Sequence, residues 1–171
     1  MVKLCDLRNL RDLNSVTLLS FASLLLHGSG TLQVVAIDIS GRHKMPDGRY
    51  LLVCVAVAVE LSPINIQRID DMKIVRRFAG DVSVEEVAGI ISSAAARFEG
   101  LIVSEHGEFY GYPEWRVEVM LGRKFKYAES IGERRAIEVA HHVSLAVHRL
   151  LQEINAERNT GEEDRPEGEG R

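Results

Sequence analysis

The sequence has too few cysteines for a disulfide framework or a zinc site. Cys5 and Cys54 are the only two in 171 residues. They do not form a CxxC motif, and neither has a Cys or His partner at metal-ligand spacing. Cys54 lies inside an apolar segment, where a thiol behaves as a small apolar side chain. These features predict a protein of the cytoplasm, where thiols stay reduced.

The sequence also lacks an apolar run long enough to cross a bilayer. Residues 16–26 are largely apolar and end in a Gly-Ser-Gly segment, but this stretch is too short to span the hydrocarbon core. It resembles the central part of a signal peptide, and Asp6 and Asp12 among the preceding basic residues oppose that interpretation. We therefore expect residues 1–32 to be an N-terminal extension or a poorly packed helix, and we expect no membrane partner.

No strong excess of one charge is present either. The formal net charge is −4, and the last fifteen residues account for most of it, with six acids and three arginines from Glu157 onward. This Glu/Gly/Pro/Arg-rich segment, residues 157–171, is predicted to be a disordered acidic tail. A nucleic acid would have to meet a local basic patch, because the whole chain offers no positive field.

Two long apolar runs are present, and they enclose a single carboxylate. Residues 33–61 predict a β-hairpin that is buried on both faces, with a turn at Pro46-Asp47-Gly48. Asp38 interrupts the first run just before Ser40 and Gly41. A carboxylate in such a strand is costly to bury unless another group pairs with it. Asp38 is therefore the first candidate for a functional residue.

The rest of the chain predicts one α/β domain over residues 33–156. Residues 64–78 indicate a third, more exposed strand near a sheet edge, and Ser83 with Glu86 forms a capping box that starts a helix to about Phe98. Short strands are expected at 101–105 and 125–129, and a long helix at 131–155. Residues 113–122 fit either a helix or a strand, and Pro113 before Glu114 favours the helix.

Three acids are expected to converge at one end of the sheet. Asp38 and Glu105 each stand at the carboxyl end of a predicted strand, where open α/β sheets place their sites. At 100° per residue, Glu133 falls near the apolar stripe of the last helix, whereas Glu138 falls on the solvent face. Carboxylates brought together repel one another unless a divalent cation neutralises them. Their hard oxygen ligands suit Mg²⁺ or Mn²⁺.

These features resemble a known superfamily. The element order β-β-β-α-β-α-β-α, the Ile37-Asp38-Ile39-Ser40-Gly41 turn, Glu105 and an acid opening the last helix are similar to the ribonuclease H-like superfamily and its Holliday-junction-resolvase branch. The whole chain also resembles a small archaeal family of unassigned function. The resemblance implies a mixed central sheet of about five strands flanked by helices.

The resemblance further implies a metal-dependent nuclease. Asp38, Glu105 and Glu133 would then be the catalytic metal ligands, with Glu129 as a substitute for Glu133. The resolvase pattern has a close pair of aspartates at the last helix, and this chain has glutamate there. A degenerate module that binds a partner without cleaving it is the alternative.

Simpler explanations exist for each of these residues. Asp38 could bond to the loop that follows it, Glu105 could be a surface residue, and Glu133 could be an acid that favours a helix N-terminus. His141 and His142 are expected to be solvated. The basic residues nearest the predicted site could bind substrate phosphates or form a solvated face; they are Arg42, Lys44, Arg123 and Lys124. The oligomeric state stays open, and a homodimer is compatible with the sequence.

Overall fold

A central five-stranded sheet organises the chain. The computed structural model describes residues 32–163, with side chains up to residue 155. The elements, in chain order, are β1 (Leu32–Ser40), β2 (Tyr50–Leu61), β3 (Ile66–Ala79), α1 (Val84–Ala95), β4 (Leu101–Ser104), α2 (Glu114–Leu121), β5 (Phe125–Tyr127) and α3 (Ile131–Glu163). This order and the mixed five-stranded sheet with flanking helices confirm the predicted α/β class, the element order and the strand number.

The strand order is β3-β2-β1-β4-β5. β1, β2 and β3 form an antiparallel meander, and β4 and β5 join β1 in parallel. β1 and β2 are long apolar strands because both of their faces are covered, as the hairpin prediction required. The carboxyl ends of the parallel strands β1, β4 and β5 therefore lie at the same edge of the sheet.

Two apolar clusters cover the two faces. One joins α1 and α2 to the face that contains Ile37, Cys54 and Ile102. The other joins α3 to the face that contains Ala36 and Val55. Each face of the sheet thus has its own helices, and residues of β1 alternate between the two clusters.

Most element predictions are confirmed. Ser83 Oγ accepts a hydrogen bond from the backbone N–H of Glu86 at 3.3 Å, so Ser83 is the N-cap of α1 as expected, while the carboxylate of Glu86 accepts from Arg77. Residues 114–121 form a helix, as Pro113 indicated. β3 is an exposed edge strand. α3 continues to Glu163, beyond the expected end near residue 155 and into the segment predicted to be a disordered tail.

Some predictions fall outside the described residues. The proposals for residues 1–31, including the signal-like apolar stretch, and for the end of the tail at 164–171 concern parts of the chain that the structure does not describe. Among residues 32–163, no helix is both long enough and apolar enough to cross a membrane.

Gly41 is required where the chain leaves β1. Its φ of 103° lies in the region that favours glycine. A Cβ at this position would lie 1.8 Å from the Leu51 carbonyl oxygen and 2.8 Å from the ring of His148. The chain can therefore bend away immediately after Ser40, while the end of β1 stays packed against β2 and α3.

Candidate functional site

Asp38 finds its partners on α3. Its side chain lies on the face that α3 covers, and the residue is only 8% exposed. The hydroxyl of Ser144 donates to Oδ2 of Asp38, and Nδ1 of His141 lies 3.3 Å from Oδ1. Ser40 Oγ is 2.7 Å from Ser144 Oγ. Because the proton of Ser144 is best used on the carboxylate, Ser40 donates to Ser144.

This network explains how a carboxylate is tolerated in β1. The sequence offered the loop of Arg42, His43 and Lys44 as the source of a partner, but the partners lie more than a hundred residues away on α3. Ser144 and His141 are three residues apart, so they share one side of that helix. The hydroxyl and the imidazole supply the hydrogen bonds that burial would otherwise remove.

A surface cleft opens beside Asp38. It has a volume of about 270 Å³, and its lining residues are Asp38, Glu105, Arg134, Ile137, Glu138 and His141. Glu105 follows the last residue of β4, so the parallel pairing of β1 and β4 brings it to the same edge as Asp38. Of the three acids proposed from the sequence, Asp38 and Glu105 therefore line one cleft. Their catalytic role stays a prediction.

Glu133 does not line this cleft. Its Oε2 accepts the backbone N–H groups of Glu129 and Ser130, both at 2.9 Å, and its own N–H donates to Ser130 Oγ at 3.2 Å. Lys126 Nζ lies 3.2 Å from its Oε1. Burial raises the pKa of Glu133, but the two backbone hydrogen bonds and Lys126 outweigh it, so the pKa is lowered overall.

Glu133 therefore closes a capping box at the start of α3. The helical phasing correctly placed this side chain toward the protein interior, where it is 3% exposed. That interior position is at the start of α3 and outside the cleft. Glu129, its proposed substitute, is also outside the cleft and forms an ion pair with Lys126 at 2.8 Å.

Two exposed residues of α3 take the place expected for Glu133. Glu138 is exposed, as its phase predicted, and it still lines the cleft because the cleft opens at the protein surface. The side chain of His141 is 50% exposed, in line with the expected solvated histidine, and it also contacts Asp38. The exposed side of α3 is therefore the side that lines the cleft.

Glu108 is a largely buried acid near Asp38 that the sequence did not indicate. Its side chain is 9% exposed and forms an ion pair with Arg42. Its pKa is raised to about 7: burial and the charge of Asp38 raise it, and Arg42 and a hydrogen bond from the backbone of Ile39 lower it. In the sequence, the neighbouring Phe109 was the one clue that this loop packs into the core; in the structure Phe109 is 1% exposed.

The basic residues proposed for substrate binding are placed differently from one another. Arg42 donates to the Gly107 carbonyl oxygen at 3.0 Å as well as pairing with Glu108. Arg123 donates to the backbone carbonyl oxygens of Ala95 and Phe98, both at 2.7 Å, and therefore caps the end of α1.

The two lysines of that set remain nearer to solvent. Lys44 Nζ lies 5.9 Å from the centre of the Tyr50 ring. The side chain of Lys124 is 82% exposed and its Nζ is 3.8 Å from Glu118. The four residues therefore do not form one basic surface at the cleft. Arg134, which the sequence analysis did not single out, is the basic residue that lines it.

The donor set fits a hard divalent cation in chemistry but not in spacing. Asp38, Glu105 and Glu138 present carboxylate oxygens to one cleft, and such oxygens are the ligands that Mg²⁺ and Mn²⁺ prefer. In the described part of the chain, however, no three His, Cys, Asp or Glu side chains lie close enough together to hold a metal ion. An ion would have to draw these carboxylates together as it binds.

Comparison with known proteins identifies a family. Residues 35–152 match the family described as "Uncharacterized protein conserved in archaea (DUF2209)". The chain is also 33% identical over 124 residues to uncharacterized protein MJ0095 of Methanocaldococcus jannaschii, covering 70% of this chain and 96% of that protein.

A solved structure is also similar, at a low level. The catalytic core domain of BIV integrase matches with a TM-score of 0.36 and 17% identity, covering 64% of each chain. This likeness carries no information about chemistry in the present cleft. The match over residues 35–152 and the Methanocaldococcus relative together show that this chain belongs to the archaeal family DUF2209.

Proposed function

We propose that the protein is a divalent-metal-dependent nuclease that uses the cleft beside Asp38 to hydrolyse a phosphodiester bond of a nucleic acid. The observation that supports this most is the composition of one cleft: three carboxylates, an imidazole and a guanidinium, from β1, the end of β4 and α3. The finer assignment to the Holliday-junction-resolvase branch belongs to the same proposal and rests on the resemblance of the sequence. A cytoplasmic location is also proposed, and it rests on the two cysteines that have no partner motif.

Asp38, Glu105 and Glu138 are the proposed ligands, with Glu138 replacing Glu133 and Glu129. Bound there, Mg²⁺ or Mn²⁺ would activate water and stabilise the leaving oxygen. Glu133 is left out of this set because it does not line the cleft, and its carboxylate is bound at the start of α3.

The remaining residues of the cleft have complementary roles. Arg134 is placed to donate to a phosphate oxygen, and its planar guanidinium suits that anion. His141 faces Asp38 through Nδ1. When Asp38 is ionised, a proton on Nδ1 is favoured, so Nε2 is left as the nitrogen that can accept a proton from water. Ser144 keeps the Asp38 carboxylate oriented toward the cleft.

A non-catalytic binding module is the second candidate. It is favoured by the fact that Asp38 already has two partners, and by the lack of a preassembled three-ligand group among the described residues. In that case the cleft would bind a partner through Arg134 and the acids without any need for a metal.

Thermal unfolding with and without Mn²⁺ or Mg²⁺ separates the two candidates. We expect the metal to raise the Tm of the wild-type protein, and expect Asp38→Asn and Glu138→Gln to remove that increase. Glu133→Gln is the matched control: it should lower the Tm without metal but keep the metal-dependent increase. An equal increase in Asp38→Asn, or none in the wild type, would contradict the metal site.

Cleavage assays then define the substrate. Labelled single-stranded, double-stranded and four-way-junction DNA, with the corresponding RNAs, should be cut only with Mg²⁺ or Mn²⁺ and not by Asp38→Asn. Binding of any of these nucleic acids without cleavage, and without a metal-dependent Tm increase, would support the binding module instead.

A further inference from the structure

β3 is an edge strand of unusual length with one side free. Its residues, Ile66–Ala79, pair with β2 along their whole length, apart from irregularities near Asp70 and at the amino end of the strand. Among residues 32–163 no strand pairs with its other side. Such an edge presents a row of backbone N–H and C=O groups to any strand that can align with it.

Three exposed apolar side chains of β3 share one face of the sheet. Ile69, Ile74 and Phe78 are 47%, 44% and 42% exposed. Their β2 neighbours are Val59, Val55 and Leu51, which alternate with residues of the other face, so all three lie on the face that α3 covers. Asp70 is the extra residue of a bulge, which keeps Ile69 on this face.

A two-fold axis at Ile74 aligns these side chains with one another. If a second copy of β3 runs antiparallel with Ile74 opposite Ile74, and the bulge at Asp70 is retained, then Ile69 of each copy lies opposite Phe78 of the other. Residues directly opposite in an antiparallel pair bring their side chains into contact. Each of the three exposed apolar side chains would then contact an apolar side chain of the other copy on the same face of the sheet.

Charges favour the same register. On the other face, Asp71 of each copy would lie opposite Arg77 of the other. These residues already pair within the chain, Asp71 with Arg97 and Arg77 with Glu86, but the four side chains are 37–52% exposed, so both charges stay accessible.

Two neighbouring registers also keep each side chain on its present face of the sheet, but they place like charges opposite each other. A shift that centres the pairing on Lys73 sets two lysines against each other, and one centred on Val75 sets Lys73 against Arg77. Like charges directly opposite one another destabilise a strand pair. Of these three registers, the one centred on Ile74 avoids both.

We propose that two copies of this chain associate through antiparallel pairing of their β3 strands, centred on Ile74, so that the two five-stranded sheets become continuous. The interface is independent of the proposed nuclease activity. Its occupant is a second copy because the edge is complementary to itself in both charge and apolar pattern.

The pairing would fix the relation between the two clefts. Asp38 is opposite Val55, and Val55 is opposite Ile74, so the three residues lie in one line across the sheet. Five strand spacings would then separate the two Asp38 residues, a distance of about 24 Å. Both clefts would lie on the same face of the continuous sheet.

Sedimentation or light scattering of the full chain tests this interface. The wild type should be a dimer at micromolar concentration, and Ile74→Lys should raise the dimer Kd at least about tenfold, because it sets two like charges opposite each other at the axis. Val119→Lys is the matched control, since Val119 is 75% exposed on α2, beside the opposite edge. A monomeric wild type, or a dimer that Ile74→Lys leaves unchanged, would overturn the proposal.

Cysteine cross-linking fixes the register. In a Cys5→Ser background, with Cys54 buried, Ile74→Cys should form a disulfide-linked dimer under mild oxidation, and Val119→Cys should not. A monomer in which the thiol of Ile74→Cys resists labelling would show that another segment of the same chain covers β3, which would also overturn the proposal.

Discussion

The start of α3 and the end of β1 each bury a carboxylate, and they do so in opposite ways. At the start of α3, Glu133 accepts two backbone N–H groups and faces Lys126, so its pKa is lowered. At the end of β1, Asp38 contacts a hydroxyl and an imidazole beside an open cleft, and the nearby Glu108 has a pKa raised to about 7.

The difference shows that burial alone does not identify a functional acid. Burial requires that a carboxylate have partners, whether it serves folding or chemistry. The balance between burial and the partners separates the two: two backbone N–H groups and Lys126 lower the pKa of Glu133 despite its burial, whereas burial and the charge of Asp38 raise the pKa of Glu108 despite Arg42 and the backbone of Ile39. The charged form of Glu133 therefore stabilises the fold, and the charged form of Glu108 costs stability.

The largest effect that would test this comparison is the pH dependence of Glu108→Gln. With a folded pKa of about 7 against an ordinary 4.5, the folded state holds a proton that the unfolded state releases between these values. The wild type therefore loses stability as pH rises from 4.5 to 7, by about 3 kcal/mol. We expect Glu108→Gln to lack this loss, so that its free energy of unfolding relative to wild type increases by about that amount between pH 4 and pH 8.

Urea denaturation of both proteins across this pH range measures the difference. If the free energies of unfolding of the two proteins change with pH in the same way, Glu108 does not have a raised pKa in the folded state.

Glu133→Ala should have a smaller effect of the opposite sign. It removes the acceptor of two backbone N–H groups and the partner of Lys126, and we expect a loss of about 2 kcal/mol at pH 7. The loss should narrow as pH falls below the ordinary carboxyl pKa of 4.5, because protonation removes the same interactions.

Glu86→Ala is the matched control for Glu133→Ala. Glu86 occupies the same position in the capping box of α1, but its carboxylate pairs with Arg77 at the surface, 37% exposed. Its removal should cost about 0.5 kcal/mol. Equal losses in the two variants would mean that the hydrogen bonds of Glu133 contribute nothing special to the start of α3.

Asp38→Asn should have a smaller effect on stability than Glu108→Gln or Glu133→Ala. An amide can still accept from Ser144, and it removes a charge that raises the pKa of Glu108. We expect the free energy of unfolding to change by less than about 1 kcal/mol, and the midpoint of the Glu108 titration to move down, as followed by NMR. A large destabilisation would place Asp38 with Glu133 among the acids that hold the fold together.

The fold was largely predictable because its signals are local. The β1–β2 hairpin follows from two apolar runs around a Pro-Asp-Gly turn, and α1 follows from Ser83 and Glu86. The exposed character of β3 follows from its alternating charges. Helix α2 was the ambiguous element, and Pro113 before Glu114 was enough to favour the helix that is present.

The site was less predictable because its parts depend on distant contacts. Glu105 could be matched with Asp38 from strand ends alone, but Glu138 and His141 could not. A helical phase gives the direction of a side chain relative to the core, and this cleft lies at the border between core and solvent. The sequence indicated that Arg123 is a basic residue near the site, but its guanidinium donates hydrogen bonds to backbone carbonyl oxygens at the end of α1.

The sequence by itself determined which segments become strands and helices, and that Asp38 needs a partner. The apolar period and the capping residues are local properties, so neighbouring residues suffice to set them. Only the tertiary structure decided which groups contact Asp38, which glutamate caps the start of α3 and which glutamate lines the cleft. Hydrogen bonds and ion pairs act over a few ångströms, and the packing of α3 against β1 is what brings Ser144 and His141 within that range of Asp38.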